Sequence, residues 1–266
     1  MNTLRLTFIR FRLPFLVFCL FLAGWELVIR VASLPNYMLP GPWEVLSTIP
    51  SRFGDLSSSF FITLEEAVTG FLLSAVIGIL LSLIFAISPV IRRSLLPYVV
   101  LLQTIPIIAV SPLIILWMGN GSPAICFIAF MICVPAIIAN VTQGLISVEQ
   151  NLIDLFRMSN ASTLTILLKL RLPNALPNIF TGLRIASGAA VVGAVVGETF
   201  AGSSSVGQGG LGYASIYALD QTQTPYLFAL VLTSSLMGLS FFSLVSTAEW
   251  FCLRHWHDSV VADQPT

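Results

Sequence analysis

Charged side chains are scarce in this chain of 266 residues. Asp, Glu, Lys and Arg make up 9% of it, 56% is hydrophobic, and the mean hydropathy is +0.94. A soluble domain has about 25% charged residues, so the composition excludes an ordinary soluble fold. It also excludes a nucleic-acid-binding surface, which needs a concentrated basic face, because the formal net charge is zero. The chain is predicted to be an integral membrane protein.

Groups that bind metals or phosphate are also few. The chain has 4 cysteines and 2 histidines, and these have no metal-ligand spacing. His255 and His257 lie close to the C-terminus, and no Gly-x-x-x-x-Gly-Lys phosphate loop occurs. The sequence therefore predicts no metal site, no cofactor and no catalytic group, and ATP is not expected to bind to this chain. The cysteines lie in or at the ends of apolar stretches: Cys19, Cys126, Cys133 and Cys252.

What the sequence does contain is long apolar stretches. A helix needs about 20 such residues to cross a hydrocarbon core of roughly 30 Å. The chain is predicted to be an all-α membrane protein of one domain over residues 1–266, with a core at about 60–252 and a peripheral first helix. The six predicted spans are Leu13 to Val31, Thr63 to Ile87, Leu95 to Trp117, Ala124 to Ile146, Ile179 to Ala201 and Tyr226 to Phe251.

The positions of Lys and Arg predict the orientation. All of them except Arg30 and Arg52 lie at span ends that share one side of a six-span chain. Basic loop residues stay on the cytoplasmic side, so both termini and the loop between the fourth and fifth spans are predicted to be cytoplasmic.

The N-terminal segment has a second interpretation. Basic residues followed by an uncharged stretch from Leu13 to Trp25 resemble a signal peptide. However, Glu26 and Arg30 have the i,i+4 spacing of a helical ion pair, and no small-x-small cleavage site follows. The first helix is therefore predicted to be retained.

Prolines distinguish two regions. Those at 35, 40 and 42 predict that the loop from Ser33 to Ile62 is an extended strap on the outer surface. Prolines in the third span predict a helix that lines a translocation path, because broken backbone hydrogen bonds in lipid need protein or water to satisfy them. Prolines are also common in membrane helices generally. The predicted path residues in this span are Gln103, Thr104, Pro106 and Ser111.

The fifth span has small residues and ends in an acid. Gly193-x-x-x-Gly197 has the spacing of a helix-packing motif, which fits packing within one chain and a dimer seam equally well. Glu198 follows at the outer end, where a membrane-depth carboxylate can mark a transport path or lie at the interface as a solvated or hydrogen-bonded group without a function. Glu66, in the second span, is predicted to be an interfacial helix-end charge.

The loop over residues 147–177 has mixed polarity. Ser162 is predicted to cap a short helix that runs to Lys169, and Asn160 tolerates the left-handed conformation of a turn before it. Pro173 and Pro177 are predicted to end that helix ahead of the fifth span. The segment is expected to form a helix-turn-helix that protrudes into the cytoplasm, or an amphipathic pair that lies flat on the headgroups.

This loop resembles the cytoplasmic loop of ABC importer permeases that depend on a binding protein. In that pattern an acidic residue falls on Asp154 and a glycine on Asn160, followed by Ala161 and Ser162, when Leu172-Pro173 is matched to its Leu-Pro. Matches along the chain are similar to the nitrate, sulfonate and taurine type of permease. They include 34–42, 103–106, 117–121, 183–186 and 210–213. The C-terminal third is similar to permeases associated with pyrimidine vitamin precursors or riboflavin.

The resemblance implies a homodimeric, multi-pass permease of the bacterial inner membrane. Two ABC ATP-binding subunits would power it, and an extracytoplasmic solute-binding protein would deliver the solute. A stand-alone channel or secondary transporter is the alternative, and it would need its own ion site, for which Glu198 is the candidate. Glu198 also completes the predicted path. The implied ATPase-docking residues are Asp154, Asn160, Ala161, Ser162, Thr163, Lys169 and Pro173.

Overall fold

The structure, a computed structural model, describes residues 2–201 and 209–254, with side chains from residue 12 onward. These residues are nearly all helical and include no strand. The stretch 202–208, His255 and His257 lie outside the described residues. Five helical runs in the described part are long and apolar enough to cross a membrane, or up to six if one bent pair counts as a span. The five runs lie in α1 (Asn2–Ala32), α3 (Phe53–Ile87), α6 (Ser122–Ile146), the run Thr163–Ala201, and α11 (Thr224–Leu253).

The bent pair replaces the predicted third span. Helices α4 (Pro89–Thr104) and α5 (Ile107–Met118) meet at an angle of 101°. Ile105 is extended, with φ −70° and ψ 121°, because the residue before a proline is pushed out of the helical region. At 1.5 Å per residue, α4 and α5 are only about 24 and 18 Å long. The predicted third span from Leu95 to Trp117 is therefore a bent pair of helices, and the described residues contain the six predicted spans if this pair counts as one of them.

The predicted outer strap is mostly helical as well. Helix α2 (Pro42–Ser51) begins where Pro42 occupies its first position, and the Gly41 N–H donates to Glu44 Oε2 at 3.3 Å. Proline suits the first position because its missing N–H would have had no helical partner. Helix α3 already begins at Phe53, so only residues 33–41 and Arg52 are non-helical in this loop.

Helix α1 is a largely exposed helix beside this region. The predicted pair forms, since Arg30 Nη2 lies 2.8 Å from Glu26 Oε1. Trp25 contacts Phe228 of α11, with 5.7 Å between ring centroids. Helix α1 is thus linked to α11 by a ring contact, and its retention stays a prediction.

Small side chains bring α3 and α6 close together. Gly70, Ser74, Gly78 and Ser82 recur every fourth residue and so share one face of α3. A Cβ on Gly70 would lie 2.7 Å from the carbonyl oxygen of Cys126. The Ser74 and Ser82 hydroxyls bond to carbonyl oxygens of α6, at 3.1 and 3.3 Å. Small residues let membrane helices approach until dispersion contacts and such hydrogen bonds form.

The glycine pair of the fifth span packs against the same helix. A Cβ on Gly193 would lie 2.7 Å from Ala129 Cα, and one on Gly197 would lie 3.1 Å from Ile125 Cγ2. Of the two interpretations left open by the sequence, these glycines therefore serve packing within the chain. Helices α3, α6 and the fifth span form the centre of the bundle.

The fifth span begins earlier than predicted. Helix α8 (Thr163–Ile166) passes through a π-helical turn (Leu167–Arg171) into α9 (Leu172–Ala201), a run of 39 residues from Thr163 to Ala201. The Leu172 N–H donates to the carbonyl of Leu167, which shifts the hydrogen-bond register just before Pro173. The helix continues through Pro173 and Pro177, so the prediction that they end it is wrong.

Candidate functional site

A sharp turn joins α7 (Gln150–Met158) to α8. Asn160 has φ +54°, the Asn160 N–H donates to the carbonyl of Arg157 at 2.9 Å, and the Ala161 N–H donates to that of Phe156 at 3.0 Å. These two bonds and the left-handed residue form a Schellman motif, which satisfies carbonyls at a helix end. The prediction of a left-handed turn at Asn160 is confirmed.

The start of α8 is capped as the sequence predicted. The Thr165 N–H donates to Ser162 Oγ at 3.1 Å, and an N-cap of this kind satisfies a donor that the helix cannot. The predicted helix to Lys169 is α8 followed by part of the π-helical turn. We call residues 150–171 the α7–α8 segment; its helix-turn-helix form is confirmed.

The α7–α8 segment exposes large apolar side chains among its polar ones. Met158 is 83% exposed, Leu164 59% and Leu155 58%. Leu155 and Met158 are three residues apart on α7, which places them on one helix face. Of the implied docking residues, Ala161 and Pro173 are half-buried, and the others are exposed: Asp154, Asn160, Ser162, Thr163 and Lys169.

The other side of the segment is anchored to the bundle. Ile153, Ile166 and Leu167 are 4–7% exposed. The Arg171 guanidinium donates to the carbonyl of Ala86 in the last turn of α3, where the helix dipole favours a cation. Since α7 follows α6, α8 leads into α9 and Arg171 bonds to α3, the segment is connected to all three central helices.

The predicted path residues of the third span lie around its break. Gln103, Thr104 and Pro106 are exposed, whereas Ser111 is fully buried and donates to the carbonyl of Ile107 at 2.8 Å. The structure therefore brings three of them together on an open surface and puts Ser111 in the packing behind it. Their contact with solute stays a prediction.

Glu198 lies at the opposite end of α9 from the α7–α8 segment. It is 2% exposed, so it is not solvated, and the alternative of a hydrogen-bonded carboxylate is the one that the structure shows. Its Oε2 accepts a hydrogen bond of 2.5 Å from the Gly212 N–H, and a Cβ on Gly210 would overlap its carboxyl group. Its assignment to the path stays a prediction.

Glu66 was missed by sequence reasoning. It is 3% exposed, not interfacial, because α3 begins 13 residues before it rather than near Thr63. Its carboxyl group interacts with Glu198 and Ser122. A signal for this burial was the position of Glu66 four residues before Gly70, the first residue of the small face of α3. We call Thr63, Glu66, Glu198 and residues 210–212 the carboxylate cluster.

Glu249, near the end of α11, is a further partly buried acid, and it forms an ion pair. Glu249 of α11 lies 3.0 Å from the guanidinium of Arg184 in α9, and both side chains are partly buried. An open cavity of about 530 Å³ adjoins this pair and is lined also by Trp250 and Arg254. The pair ties α9 to α11 away from the carboxylate cluster.

Comparison with known proteins gives these surfaces a context. Residues 74–248 match the family model of the binding-protein-dependent transport system inner membrane component. A probable ABC transporter permease protein of Haemophilus influenzae is 37% identical over 224 residues, which is 84% of this chain and 89% of the relative.

Two further proteins extend the similarity. The formylaminopyrimidine transport permease protein ThiX of Halalkalibacterium halodurans is 34% identical over 241 residues, 89% of this chain and 92% of that protein. A chain of the MetNI methionine ABC transporter in an inward-facing conformation has a similar fold, with a TM-score of 0.58 at 20% identity, over 74% of this chain and 97% of that one. The chain thus belongs to the family of inner membrane components of binding-protein-dependent transport systems, and it is a permease subunit of an ABC importer.

Proposed function

We propose that two copies of this chain form the translocation path, with both termini and the α7–α8 segment in the cytoplasm. An importer of this family works with an ABC ATPase and a solute-binding protein. The observation that carries the proposal is the exposed apolar face of the α7–α8 segment, with Met158 83% exposed. Exposed apolar surface marks a protein or membrane interaction site, and no other helix of the described residues covers this one; the sharp turn and the anchored inner side favour a protein partner over the headgroups.

The ATP-binding subunits would dock on this face. The docking residues implied by the sequence surround it, and Asn160 sets the angle between its two helices. ATP-driven approach of the subunits would displace the α7–α8 segment, and the connections to α6 and α9 would convert that displacement into tilting of the bundle. ATP hydrolysis is assigned to the partner subunit, and this chain has a non-catalytic role.

The solute path is assigned to the surface around the break between α4 and α5. Gln103, Thr104 and Pro106 are exposed there in a single chain, and a second copy would enclose them. The interruption frees backbone carbonyls, which persist at membrane depth where they line protein or water. This surface does not distinguish an oxyanion from a small heterocycle. We assign a small solute, with a pyrimidine as the first choice because of the name of the ThiX relative.

The proposal is tested by transport in proteoliposomes that contain this chain, its ATPase and its binding protein. Binding of nitrate, bicarbonate, sulfonates and pyrimidines to the binding protein is measured first, and the tightest ligand is used for uptake. Uptake is expected to stop with vanadate. Deleting Thr163–Lys169 is expected to abolish uptake while ATP hydrolysis continues, in a complex whose assembly is checked by size-exclusion chromatography.

Normal uptake in the deletion variant would overturn the role of the α7–α8 segment. Vanadate-resistant uptake by the chain alone would favour the stand-alone transporter instead. Labelling of a cysteine placed at Asn151 from the cytoplasmic side is the expected result for orientation, and labelling only from the outside would reverse it.

A further inference from the structure

The first turn of α10 (Leu211–Asp220) is capped by other helices of the bundle. Its N-cap residue, Gly210, has no side chain and makes no side-chain cap bond. The Leu211 N–H donates instead to Thr63 Oγ1 of α3 at 2.8 Å, and the Gly212 N–H donates to Glu198 Oε2 of α9 at 2.5 Å. Helix N-terminal donors lack partners inside the helix, so α3 and α9 both supply what α10 lacks.

The residues around these two hydrogen bonds are buried and closely packed. Leu211 is fully buried, Thr63 is fully buried, and Glu198 is 2% exposed. A Cβ on Gly212 would lie 2.9 Å from Glu198 Cβ and close to the carbonyl of Val195. The Thr63 hydroxyl also donates to the carbonyl of Ser59 at 3.1 Å, so its donor and acceptor roles are both used.

A buried acid is an expensive way to make this connection. Glu198 Oε1 and Glu66 Oε2 accept no hydrogen bond from a donor among the described residues, although the two carboxyl groups interact with each other. A buried acceptor without a donor costs about 1–3 kcal/mol. Ionisable groups at membrane depth are costly and tend to be functional. Glu198 places a carboxyl oxygen at the start of α10, where the helix dipole favours such a group. An apolar side chain could not supply this interaction.

The far side of α10 faces away from the bundle. Leu219 is 59% exposed and Tyr217 42%, whereas Ala218 between them is fully buried. The helix therefore joins an exposed surface at one end of the bundle to α9, whose other end continues into α8. The run from Thr163 to Ala201 has 39 residues, or roughly 58 Å of helix at 1.5 Å per residue.

We propose that Glu198, with Thr63, is a positioning residue for transport: it fastens α10 to the packed α3–α6–α9 centre so that the exposed face of α10 moves as one body with the α7–α8 segment. Glu198 acts through the Gly212 N–H, and solute contact is not required of it. This inference rests on the proposed function, because it uses the ATPase to displace the α7–α8 segment. As a consequence, the exposed face of α10 changes position when the ATPase binds or releases ATP, although it lies at the opposite end of α9 from the α7–α8 segment.

The test uses spin labels in the complex of this chain with its ATPase, in lipid nanodiscs. In a background where the four cysteines are replaced by serine, one label is placed at Leu219→Cys on α10 and, in a separate sample, at Asn151→Cys on α7. The distance between the two copies is measured with and without ATP and vanadate. No solute is needed. Both labels are expected to change their distance in the otherwise unmodified chain.

The Glu198→Ala variant is expected to lose at least half of the distance change at 219 while the change at 151 is retained. Glu198→Gln is expected to keep both changes, because its amide oxygen still accepts from Gly212. Glu65→Ala is the matched control, since Glu65 is an exposed acid beside Glu66, and it is also expected to keep both. Thr63→Val, which removes the acceptor for Leu211 together with the hydroxyl donor to the carbonyl of Ser59, is expected to reduce the change at 219 if Glu198→Ala does not assemble.

The outcomes separate the two proposals. Absence of any change at 151 in the unmodified chain would overturn the proposed function. A change at 151 without one at 219 would overturn the linkage, as would a full change at 219 in both Glu198→Ala and Thr63→Val. Loss of the change in Glu198→Gln as well as in Glu198→Ala would also overturn it, because the hydrogen bond would then not be the determinant.

Discussion

The two ends of the fifth span are built in opposite ways. At one end the α7–α8 segment exposes apolar side chains such as Met158, 83% exposed, on helices joined by a sharp turn. At the other end the carboxylate cluster buries polar groups such as Glu198, 2% exposed, beneath backbone that admits no extra atom. Among the described residues the first end has no covering surface, whereas the hydrogen bonds of the second are made within one chain. The difference is the basis for the proposal that the partner docks at the α7–α8 end.

The largest expected effect is the loss of folded protein caused by a substitution in the carboxylate cluster. Gly212→Val would place atoms against Glu198 and Val195, and overpacking a tight site costs about 1–3 kcal/mol or more. The yield of folded chain, measured by size-exclusion chromatography in detergent, is expected to fall severely. Gly188→Val in α9 is the control, because a Cβ there meets nothing within 4 Å. Equal yields for the two variants would show that the carboxylate cluster has space for a side chain at position 212.

Substitutions of exposed residues in the α7–α8 segment are expected to leave the fold intact and to weaken binding of the ATPase. Leu155→Asp with Met158→Asp removes exposed apolar surface, and each side chain would contribute about 1.5–3 kcal/mol if fully covered by a partner. The affinity for the ATPase is therefore expected to fall on the order of 100-fold, while the thermal midpoint of the isolated chain stays unchanged. Asn151→Asp on the exposed start of α7 is the control. Undiminished affinity in the double variant would place the docking face elsewhere.

The left-handed conformation of Asn160, in the turn of the α7–α8 segment, is expected to affect stability by a smaller amount. Asn160→Ala keeps a side chain in the left-handed conformation without the local bonding that favours asparagine, at a cost of about 1–2 kcal/mol. Differential scanning fluorimetry is expected to show a lower unfolding midpoint, by about 2–4 °C per kcal/mol for a chain of this size. Asn160→Gly is expected to show no loss, because glycine adopts this conformation freely. A loss in the glycine variant equal to that of the alanine variant would contradict a conformational role.

The smallest effect is expected for the ion pair beside that turn. Arg157 and Asp154 are 3.5 Å apart, and both side chains are more than half exposed. Exposed pairs contribute about 0–1 kcal/mol, so Arg157→Ala is expected to leave the unfolding midpoint within error. Any effect of this variant should instead appear in the affinity for the ATPase, measured in the same binding assay. A marked loss of stability would show that the pair supports the α7–α8 segment itself.

Much of the fold could be predicted because its signals are local. Long apolar runs predict spanning helices whatever surrounds them, and the Glu26–Arg30 spacing, the cap at Ser162 and the left-handed residue Asn160 involve only neighbours in the chain. The errors arose where proline was interpreted without its context. Pro42 begins a helix, Pro106 breaks one, and Pro173 is passed by a π-helical turn, although all three have the same local restriction.

The candidate site divides in the same way. Local pattern identified the α7–α8 segment, since its turn and cap are contiguous in sequence. The carboxylate cluster could not be assembled from the sequence, because Thr63 and Gly212 are separated by most of the chain. The burial of Glu66 also depended on how far α3 extends before it, which composition does not determine.

The sequence by itself determined that this chain is helical and membrane-embedded, and that one polar loop would turn sharply and need a partner. These follow from apolar length, from the scarcity of charge and from short-range backbone preferences. Only the tertiary structure decided that Glu198 is enclosed and bonded to Gly212, that the glycines of α9 pack inside the chain, and that the third span is broken. The physical reason is that burial, close approach and hydrogen bonding between distant residues exist only once the helices have packed.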